Sequence, residues 1–273
     1  MQCTLQNSVL FLSQFLIASL KKDLDIFRLA QAGLLLIRSG GSPVSPLMHD
    51  ICQTIASMQK EDGGYTDVRE TLFSISLLNE IGEYRQEVAE GEKWLINERF
   101  PDGGWGYSRR DRMRIPITGL VHVFVPNLSS KESCNWMISE WQNDRQKNSL
   151  LSYKTAFLMM SIPEKINAEL IGELEKNLLS EQEENGGFGP WRQHPAGPDA
   201  WCTGIALLAL SRRDTTEGYN AGLKALKYLK ESQCPQGFWP YHYLDTGASW
   251  ALYGMSSFIR SHQIPTRAIN ECK

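Results

Sequence analysis

A glycine-aromatic phrase recurs along the chain, and its spacing constrains the fold more than any other feature of the sequence. The phrase reads QKEDGGYTDV at residues 59–68, NERFPDGGWG at 97–106, EQEENGGFGP at 181–190 and SQCPQGFWPY at 232–241. The copies stand about 40 to 50 residues apart, or about twice that where a diverged copy is expected, near residues 139–149. Such a period indicates stacked units that are each too small to bury their own apolar surface.

Each copy of the phrase separates two helical patterns. An amphipathic segment precedes it, such as GYNAGLKALKYLKESQ at 218–233, and a more apolar segment follows it, such as PDAWCTGIALLALSR at 198–212. Apolar residues spaced by three and four favour helices, and few segments alternate as strands do. We therefore predict an all-α protein with about twelve helices in six hairpins.

The alternation of polar and apolar helices predicts two concentric rings, with the apolar helices inside. Six hairpins in this arrangement close into an α/α toroid, and an open solenoid is the alternative. No linker or low-complexity segment divides the chain. We therefore expect residues 1–273 to form a single α/α-toroid domain, with the repeat clearest over 45–260.

Within the phrase, each residue type has a structural use. The glycine pair permits a tight turn with positive φ, which we expect at Gly64 and Gly104. The aromatic residue fills the junction, and the Gln before the turn can bind free backbone groups at a helix end.

Charge and cysteine content limit the partners and the cellular compartment that the sequence suggests. A formal net charge of −3 gives no sign of a nucleic-acid partner. Six cysteines without a CxxC pair favour reduced thiols and a cytoplasmic protein. The apolar start SVLFLSQFLIASLKK lacks a basic leader region and is short for a membrane span, so we interpret it as a first core helix.

The phrases resemble the QW repeats of the squalene–hopene cyclase and prenyltransferase superfamily, in which a Gln, a Gly and an aromatic residue recur at each hairpin of an α/α toroid. The segments MQKEDGGYTDVRETLFSISLLNEIG and ENGGFGPWRQHPAGPDAWCTGIALLAL carry this resemblance most clearly. It implies a single toroid of the terpene-cyclase type. The superfamily holds terpene cyclases, zinc prenyltransferases and non-catalytic relatives, so the reaction depends on the site.

The resemblance also implies where the site lies, because the N-terminal ends of the inner helices face a central cavity in such toroids. The candidate catalytic residues at this mouth are Asp67, Asp199, Cys202 and Asp245. The candidate substrate-binding residues are aromatic or cationic: Trp105, Tyr107, Arg109, Arg112, Trp191, Trp201, Trp239, Tyr241 and Trp250. Aromatic faces attract a carbocation by roughly 0.5–2 kcal/mol each, which suits cation chemistry.

One departure from the family pattern concerns the acid. Class II terpene cyclases carry a DxDD segment whose middle Asp protonates an alkene or epoxide. The corresponding segment here reads DAWCTG, so that Asp199 is the first acid and Trp201 stands at the middle position. An acid at this mouth therefore needs burial beside apolar walls to hold its proton.

A zinc site is the second expectation to weigh. The segment PDAWCT resembles the His-bearing segment of protein prenyltransferase β-subunits, but Cys202 occupies the His position. The preceding hairpin, SLLSYKTAF, supplies neither the Asp nor the Cys of that site. Asp199, Cys202 and His242 form a different possible set of ligands. We expect no metal and no cofactor.

The resulting hypothesis is a terpene-cyclase-like enzyme, with isomerase-like or lyase-like chemistry, for isoprenoid biosynthesis. It acts on a hydrophobic small molecule in an aromatic cavity by acid and cation chemistry, without the standard DxDD acid. The alternatives are a non-catalytic toroid that binds a lipid or a protein partner, and a prenyltransferase-like subunit. A cytoplasmic location with peripheral membrane contact fits a hydrophobic substrate.

Overall fold

Twelve α-helices and no strand occur in the part of the chain that the computed structural model describes, residues 1–22, 25–163 and 167–265. The helices are α1 (Gln2–Lys21), α2 (Ile26–Arg38), α3 (Pro46–Ser57), α4 (Val68–Ile81), α5 (Arg85–Glu98), α6 (Ile115–Phe124), α7 (Lys131–Gln146), α8 (Ser152–Ser161), α9 (Ala168–Ser180), α10 (Ala200–Leu210), α11 (Thr216–Ser232) and α12 (Leu244–Ser261). A short 3₁₀ helix at Pro126–Leu128 follows α6.

The even-numbered helices form a closed inner ring. Each packs against the next, from α2 through α4, α6, α8 and α10 to α12, and α12 packs against α2. The odd-numbered helices lie outside this ring. The predicted α/α toroid is therefore confirmed, and the open solenoid is wrong because the ring closes.

Burial follows the division that the sequence pattern predicts. In the inner helix α10, every residue except Trp201 is buried. In the outer helix α5, the buried residues are Gly91 and Leu95. A helix that is apolar on all sides must be enclosed, whereas an outer helix needs only one apolar stripe.

Where the phrase contains a Gln, that residue joins the turn to the next outer helix. The Gln59 side-chain amide donates to the Gly63 carbonyl at 2.7 Å and to the Glu87 carbonyl at the start of α5 at 2.8 Å. Gln182 repeats this arrangement, with the Gly186 and Ala221 carbonyls as acceptors. The Gln binds backbone groups as predicted, but its acceptors are a carbonyl of the turn and a carbonyl within the neighbouring outer helix, and not free groups at a helix end.

The aromatic residue fixes the turn to both helices of its hairpin. The Trp105 backbone N–H donates to Thr118 Oγ1 on α6 at 2.9 Å, and its indole N–H donates to the Leu95 carbonyl on α5 at 2.7 Å. The Trp239 indole makes the equivalent bond to the Leu229 carbonyl at 2.9 Å. These bonds satisfy groups that helix ends leave free.

Positive φ occurs at the first glycine of each pair, so the expectation for Gly64 and Gly104 is wrong. The φ angle is 86° at Gly63 and 88° at Gly103. The second glycine is required for a different reason, because a Cβ at Gly64 would lie 2.3 Å from the Trp94 ring. The first glycine makes the turn, and the second makes room for the next outer helix.

The diverged repeat forms the hairpin of α7 and α8, which contains no glycine turn. Asn148 takes the left-handed conformation, with a φ of 51°. The Trp141 indole donates to Thr155 Oγ1 at 2.9 Å, which replaces the aromatic bond of the other repeats. The hairpin therefore retains an aromatic hydrogen bond between its two helices, although the glycine-aromatic phrase is absent.

The first helix is an outer helix and not the core helix that we expected. Leu12 and Leu16 are fully buried against the toroid, whereas Leu10 is largely exposed. Among the described residues, α1 is the helix whose length and apolar composition would allow it to cross a membrane. Only 22% of its apolar stretch is buried in the protein.

Candidate active site

A cavity of about 1480 Å³ opens at the N-terminal ends of the inner helices. Each of the six inner helices contributes to its lining, and so do the loops after the second and later phrases. This position agrees with the one that the family resemblance implies. The cavity is large enough for a small-molecule ligand of substantial size.

Asp199 lies on this lining as the N-cap of α10. Its carboxylate accepts a hydrogen bond from the Cys202 backbone N–H at 2.8 Å. Burial raises the pKa of Asp199 above its usual value, although its hydrogen bonds with Cys202 oppose that change. Burial also raises the pKa of the Cys202 thiol well above its usual value. Asp199 is therefore a helix cap whose carboxyl holds its proton more tightly than an ordinary Asp does.

Three aromatic rings form the wall next to this acid. The Trp201 and Tyr241 rings are stacked, with centroids 6.3 Å apart and an interplanar angle of 14°. The Tyr153 ring meets Trp201 edge to face at 5.0 Å. Burial raises the pKa of Tyr153 to about 12, so its hydroxyl is neutral at physiological pH. The wall offers ring faces and uncharged hydroxyls to a ligand.

Below this wall, the lining becomes more apolar. The Trp250 ring meets Phe157 at 6.1 Å and Phe73 at 6.5 Å, both edge to face. Leu120 and Gln31 also line the cavity from neighbouring inner helices. We refer to Gln31, Phe73, Leu120, Phe157 and Trp250 as the floor.

Cationic side chains also stand at the rim of the cavity, and most of them are paired. Arg114 binds Asp111 through two hydrogen bonds of 2.7 and 2.9 Å. Lys154 binds Asp144 at 2.5 Å. Arg112 is exposed, and no ion pair is present for it among the described residues. The rim is therefore polar, but much of its positive charge is already neutralised.

Arg69 packs between aromatic rings of the rim. Its guanidinium lies 4.6 Å from the Phe27 ring centroid and 4.5 Å from that of Tyr107. It also pairs with Asp67 at 3.3 Å. This stacking holds Tyr107 against the mouth.

Eight of the thirteen predicted site residues line the cavity. They are Asp199 and Cys202 among the catalytic candidates, and Tyr107, Arg112, Trp201, Trp239, Tyr241 and Trp250 among the substrate-binding candidates. The structure thus brings together residues from separate hairpins at one mouth.

The other two aspartates do not line the cavity. Asp67 is the N-cap of α4 and accepts from the Glu70 backbone N–H at 2.9 Å. Asp245 is 1% exposed and forms a two-pronged ion pair with Arg28. Both carboxylates therefore have evident structural uses.

Three substrate-binding candidates also lie elsewhere. Trp105 is fully buried at its hairpin junction, against the ring of His122. The Arg109 guanidinium donates to the Arg99 carbonyl at 3.3 Å on the surface. Trp191 is 43% exposed beside His194.

Sequence reasoning missed Phe27, Gln31, Phe73, Phe157 and Thr246, all of which line the cavity. A signal for them exists in the spacing along the inner helices. The lining residues form pairs four positions apart, such as 69 with 73, 153 with 157 and 246 with 250. Such positions share one helix face. A lining residue in the first turn of an inner helix therefore predicts that the residue four positions later also lines the cavity.

The fold and the position of this cavity define the class: the chain is an α/α toroid with a cavity at the N-terminal ends of its inner helices, and it shares this fold with type II terpene cyclases. Among solved structures, a type II terpene cyclase from Scytonema in its apo form superposes with a TM-score of 0.77, covering 94% of this chain and 99% of that chain at 13% identity. ent-Copalyl diphosphate synthase from Streptomyces platensis gives 0.59, covering 87% of this chain and 50% of that chain, also at 13% identity. At this identity the likeness shows the shared fold.

A curated protein provides a comparison by sequence. Drimenyl diphosphate synthase from Streptantibioticus cattleyicolor is 26% identical over 256 residues, covering 78% of this chain and 47% of that protein. The chain thus spans about half the length of this curated relative. No family model matches the chain.

Proposed function

We propose that the protein is a terpene-cyclase-like enzyme that isomerises a hydrophobic isoprenoid by acid and cation chemistry. The observation that carries this proposal is the carboxyl of Asp199, whose pKa is raised by burial in a large aromatic cavity. The relatives support the substrate class, since two are named for isoprenoid diphosphates and the Scytonema cyclase was solved with geranylgeranyl dihydroxybenzoate as substrate.

In the proposed reaction, Asp199 is the general acid. Its O–H bond breaks as a C–H bond forms at one carbon of a substrate alkene, and positive charge develops on the other carbon. A neighbouring alkene attacks that carbon and closes a ring. Transfer of a proton from a neighbouring carbon to the Asp199 carboxylate, or to water, then restores an alkene, so the product is an isomer of the substrate and no redox partner is required.

The aromatic wall would stabilise the charge as it moves. Trp201 and Tyr241 are close enough to Asp199 in the fold to meet the first cation, and Trp250 lies deeper to meet a later one. Each ring face contributes roughly 0.5–2 kcal/mol. Because the wall carries no anionic side chain, it offers no charged nucleophile that would react with the cation.

The remaining candidates would act at the entrance. Tyr107 and Arg112 line the mouth, where a substrate must pass. Arg112 is an exposed cation and would contact the polar end of a substrate as the substrate enters.

A non-catalytic toroid that binds the same class of ligand is the second candidate. Trp201 favours it, because this ring occupies the position of the middle acid in the family motif and packs against Tyr153 and Tyr241. Such a protein would hold an isoprenoid without changing it.

The proposal extends to location, with a cytoplasmic enzyme in peripheral contact with a membrane. The exposed Val9, Leu10 and Ile17 on α1 support such contact. Co-sedimentation with lipid vesicles tests it: replacing these three residues by Ser should abolish binding, and unchanged binding would remove the proposal.

The decisive experiment pairs two aspartates that cap inner helices. Asp199→Asn keeps a capping oxygen but cannot donate a carboxylic proton, so we expect turnover to fall by about 10²-fold or more at an unchanged Tm. Asp67→Asn is the matched control, since Asp67 makes the same cap outside the cavity, and it should retain activity. Products from polyprenyl diphosphates and squalene-like substrates are measured by mass spectrometry.

Equal activity of the two variants would exclude Asp199 as the acid. Ligand binding without any product in the unmodified protein would favour the non-catalytic toroid.

A further inference from the structure

Three polar side chains that line the cavity from α2 and α12 have atoms without a hydrogen-bond partner. The Gln31 carbonyl oxygen, Thr246 Oγ1 and the Trp250 indole nitrogen are buried and form no hydrogen bond with the rest of the described chain. Their residues are 3%, 8% and 1% exposed, and all three line the cavity. Buried polar groups are almost always paired with protein, water or ligand.

Gln31 and Trp250 lie at the same depth in the toroid. Gln31 is the sixth residue of α2 and Trp250 is the seventh of α12, and these two helices are packed together. With a rise of 1.5 Å per residue, both lie roughly 8–9 Å below the mouth. The rest of this floor layer is apolar, consisting of Phe73, Leu120 and Phe157. An unpaired amide oxygen in such a layer indicates a specific polar partner.

The chemistry of the three groups suits an uncharged oxygen. The indole offers a donor, the amide offers an acceptor and two donors, and the hydroxyl offers both. The nearest ionic group along α12 is Asp245, which is already paired with Arg28. Neither member of that pair lines the cavity, and the floor residues include no cation that could bind an anion. A hydroxyl or carbonyl group matches the site, and a diphosphate does not.

We propose that the floor, together with Thr246 one turn above Trp250 on α12, is a subsite for an uncharged oxygen function of the isoprenoid ligand. The Trp250 indole donates to that oxygen, and the Gln31 amide and the Thr246 hydroxyl complete its hydrogen bonds. This inference rests on the proposed function, and it adds the orientation of the ligand in the cavity. The oxygen-bearing end lies at the floor, and the hydrocarbon end extends upward to Asp199 at the mouth, where the proton is needed.

The test compares farnesol with β-farnesene, which have the same carbon skeleton and differ at one end, where farnesol has a hydroxyl and β-farnesene has an additional alkene. Titrations follow tryptophan fluorescence, with both compounds delivered from the same detergent. We expect farnesol to bind at least about tenfold more tightly than β-farnesene, the difference that one satisfied hydrogen bond makes. In Gln31→Leu this preference should shrink to about threefold or less, mainly through weaker binding of farnesol.

Two controls separate the subsite from folding and from cavity shape. Gln31→Leu removes an unpaired buried polar group, so its Tm should equal or exceed that of the unmodified protein. Phe73→Leu changes the same layer without touching a polar atom, and it should weaken both ligands equally while keeping the preference.

The outcomes distinguish this inference from the function on which it rests. If farnesol and β-farnesene bind equally, or if the preference survives in Gln31→Leu, the subsite is wrong although the ligand class stands. If farnesyl diphosphate binds far more tightly than farnesol and independently of Gln31, the polar end lies at the rim and the orientation is overturned. If no isoprenoid binds, the proposed function fails and the inference with it.

Discussion

Asp199 shows how one residue can serve two purposes. Its carboxylate caps α10 through the Cys202 backbone N–H, as Asp67 caps α4 through that of Glu70. The difference is what surrounds each cap, since only Asp199 lines the cavity. Burial there raises its pKa against the effect of the capping bonds. An Asp at this position can cap the helix in either surrounding, whereas burial in the cavity determines how tightly its carboxyl holds a proton.

This raised pKa predicts how stability depends on pH. The folded protein binds the Asp199 proton more tightly than the unfolded chain, whose carboxyl has the ordinary pKa of 3.8. As pH rises above that value the unfolded state ionises first, so the Asp199 contribution to the free energy of unfolding decreases until the folded carboxyl ionises as well.

Urea denaturation of wild type and Asp199→Asn over this range measures the effect. We expect the wild type to lose stability relative to the variant as pH increases from about 4. A difference that stays constant with pH would contradict the raised pKa.

The sequence could predict part of the site at this scale because of the family resemblance. It placed Asp199, Trp201 and Tyr241 at the mouth, where they lie. It could not separate Trp239, which lines the cavity, from Trp105, which does not, because both indoles make the same bond at their hairpin junctions. Which rings reach the cavity depends on the tertiary packing of each repeat.

At the scale of the element, the turn between outer and inner helices depends on its first glycine. Gly63 combines a φ of 86° with a backbone oxygen, that of Glu90, 2.6 Å from where a Cβ would lie. Both features penalise any side chain. The periodic pattern predicted the helices and their alternation, but assigning positive φ within the pair requires knowing which neighbour crowds each glycine.

Replacing Gly63 by Ala should therefore lower the free energy of unfolding by about 1 kcal/mol or more, through strain and contact. Gly172 is the matched control, since it is exposed within α9 and a Cβ there would meet nothing within 4 Å. Gly172→Ala should instead be neutral or stabilising by up to about 1 kcal/mol. Thermal denaturation of both variants measures the contrast, and equal effects would refute the turn argument.

At the scale of the whole molecule, the repeat interaction also closes the ring. The Gln233 amide donates to the Thr4 carbonyl at 3.0 Å and to Ser8 Oγ at 2.9 Å, so the last phrase holds the first helix across 229 residues of sequence. The position of α1 could not be predicted from its apolar composition alone. Its placement follows from the ring, which brings the last repeat beside the first.

Because the bonds are equivalent, Gln233→Ala should destabilise the protein about as much as Gln182→Ala, by roughly 1–3 kcal/mol each. Gln182 joins neighbouring repeats and is the control for closure. Chemical denaturation measures both values. A much smaller effect at Gln233 would mean that α1 contributes little to the closed ring.

Ring closure also has a consequence for protein synthesis. The cavity takes its lining from residues as distant as Phe27 and Trp250, and α12 must be made before it can pack against α2. The earlier hairpins can form on the ribosome while they still expose the apolar faces that α12 will cover. The chamber therefore exists only after the final hairpin has been translated, and a nascent chain arrested before it would have no enclosed site in which to retain a ligand.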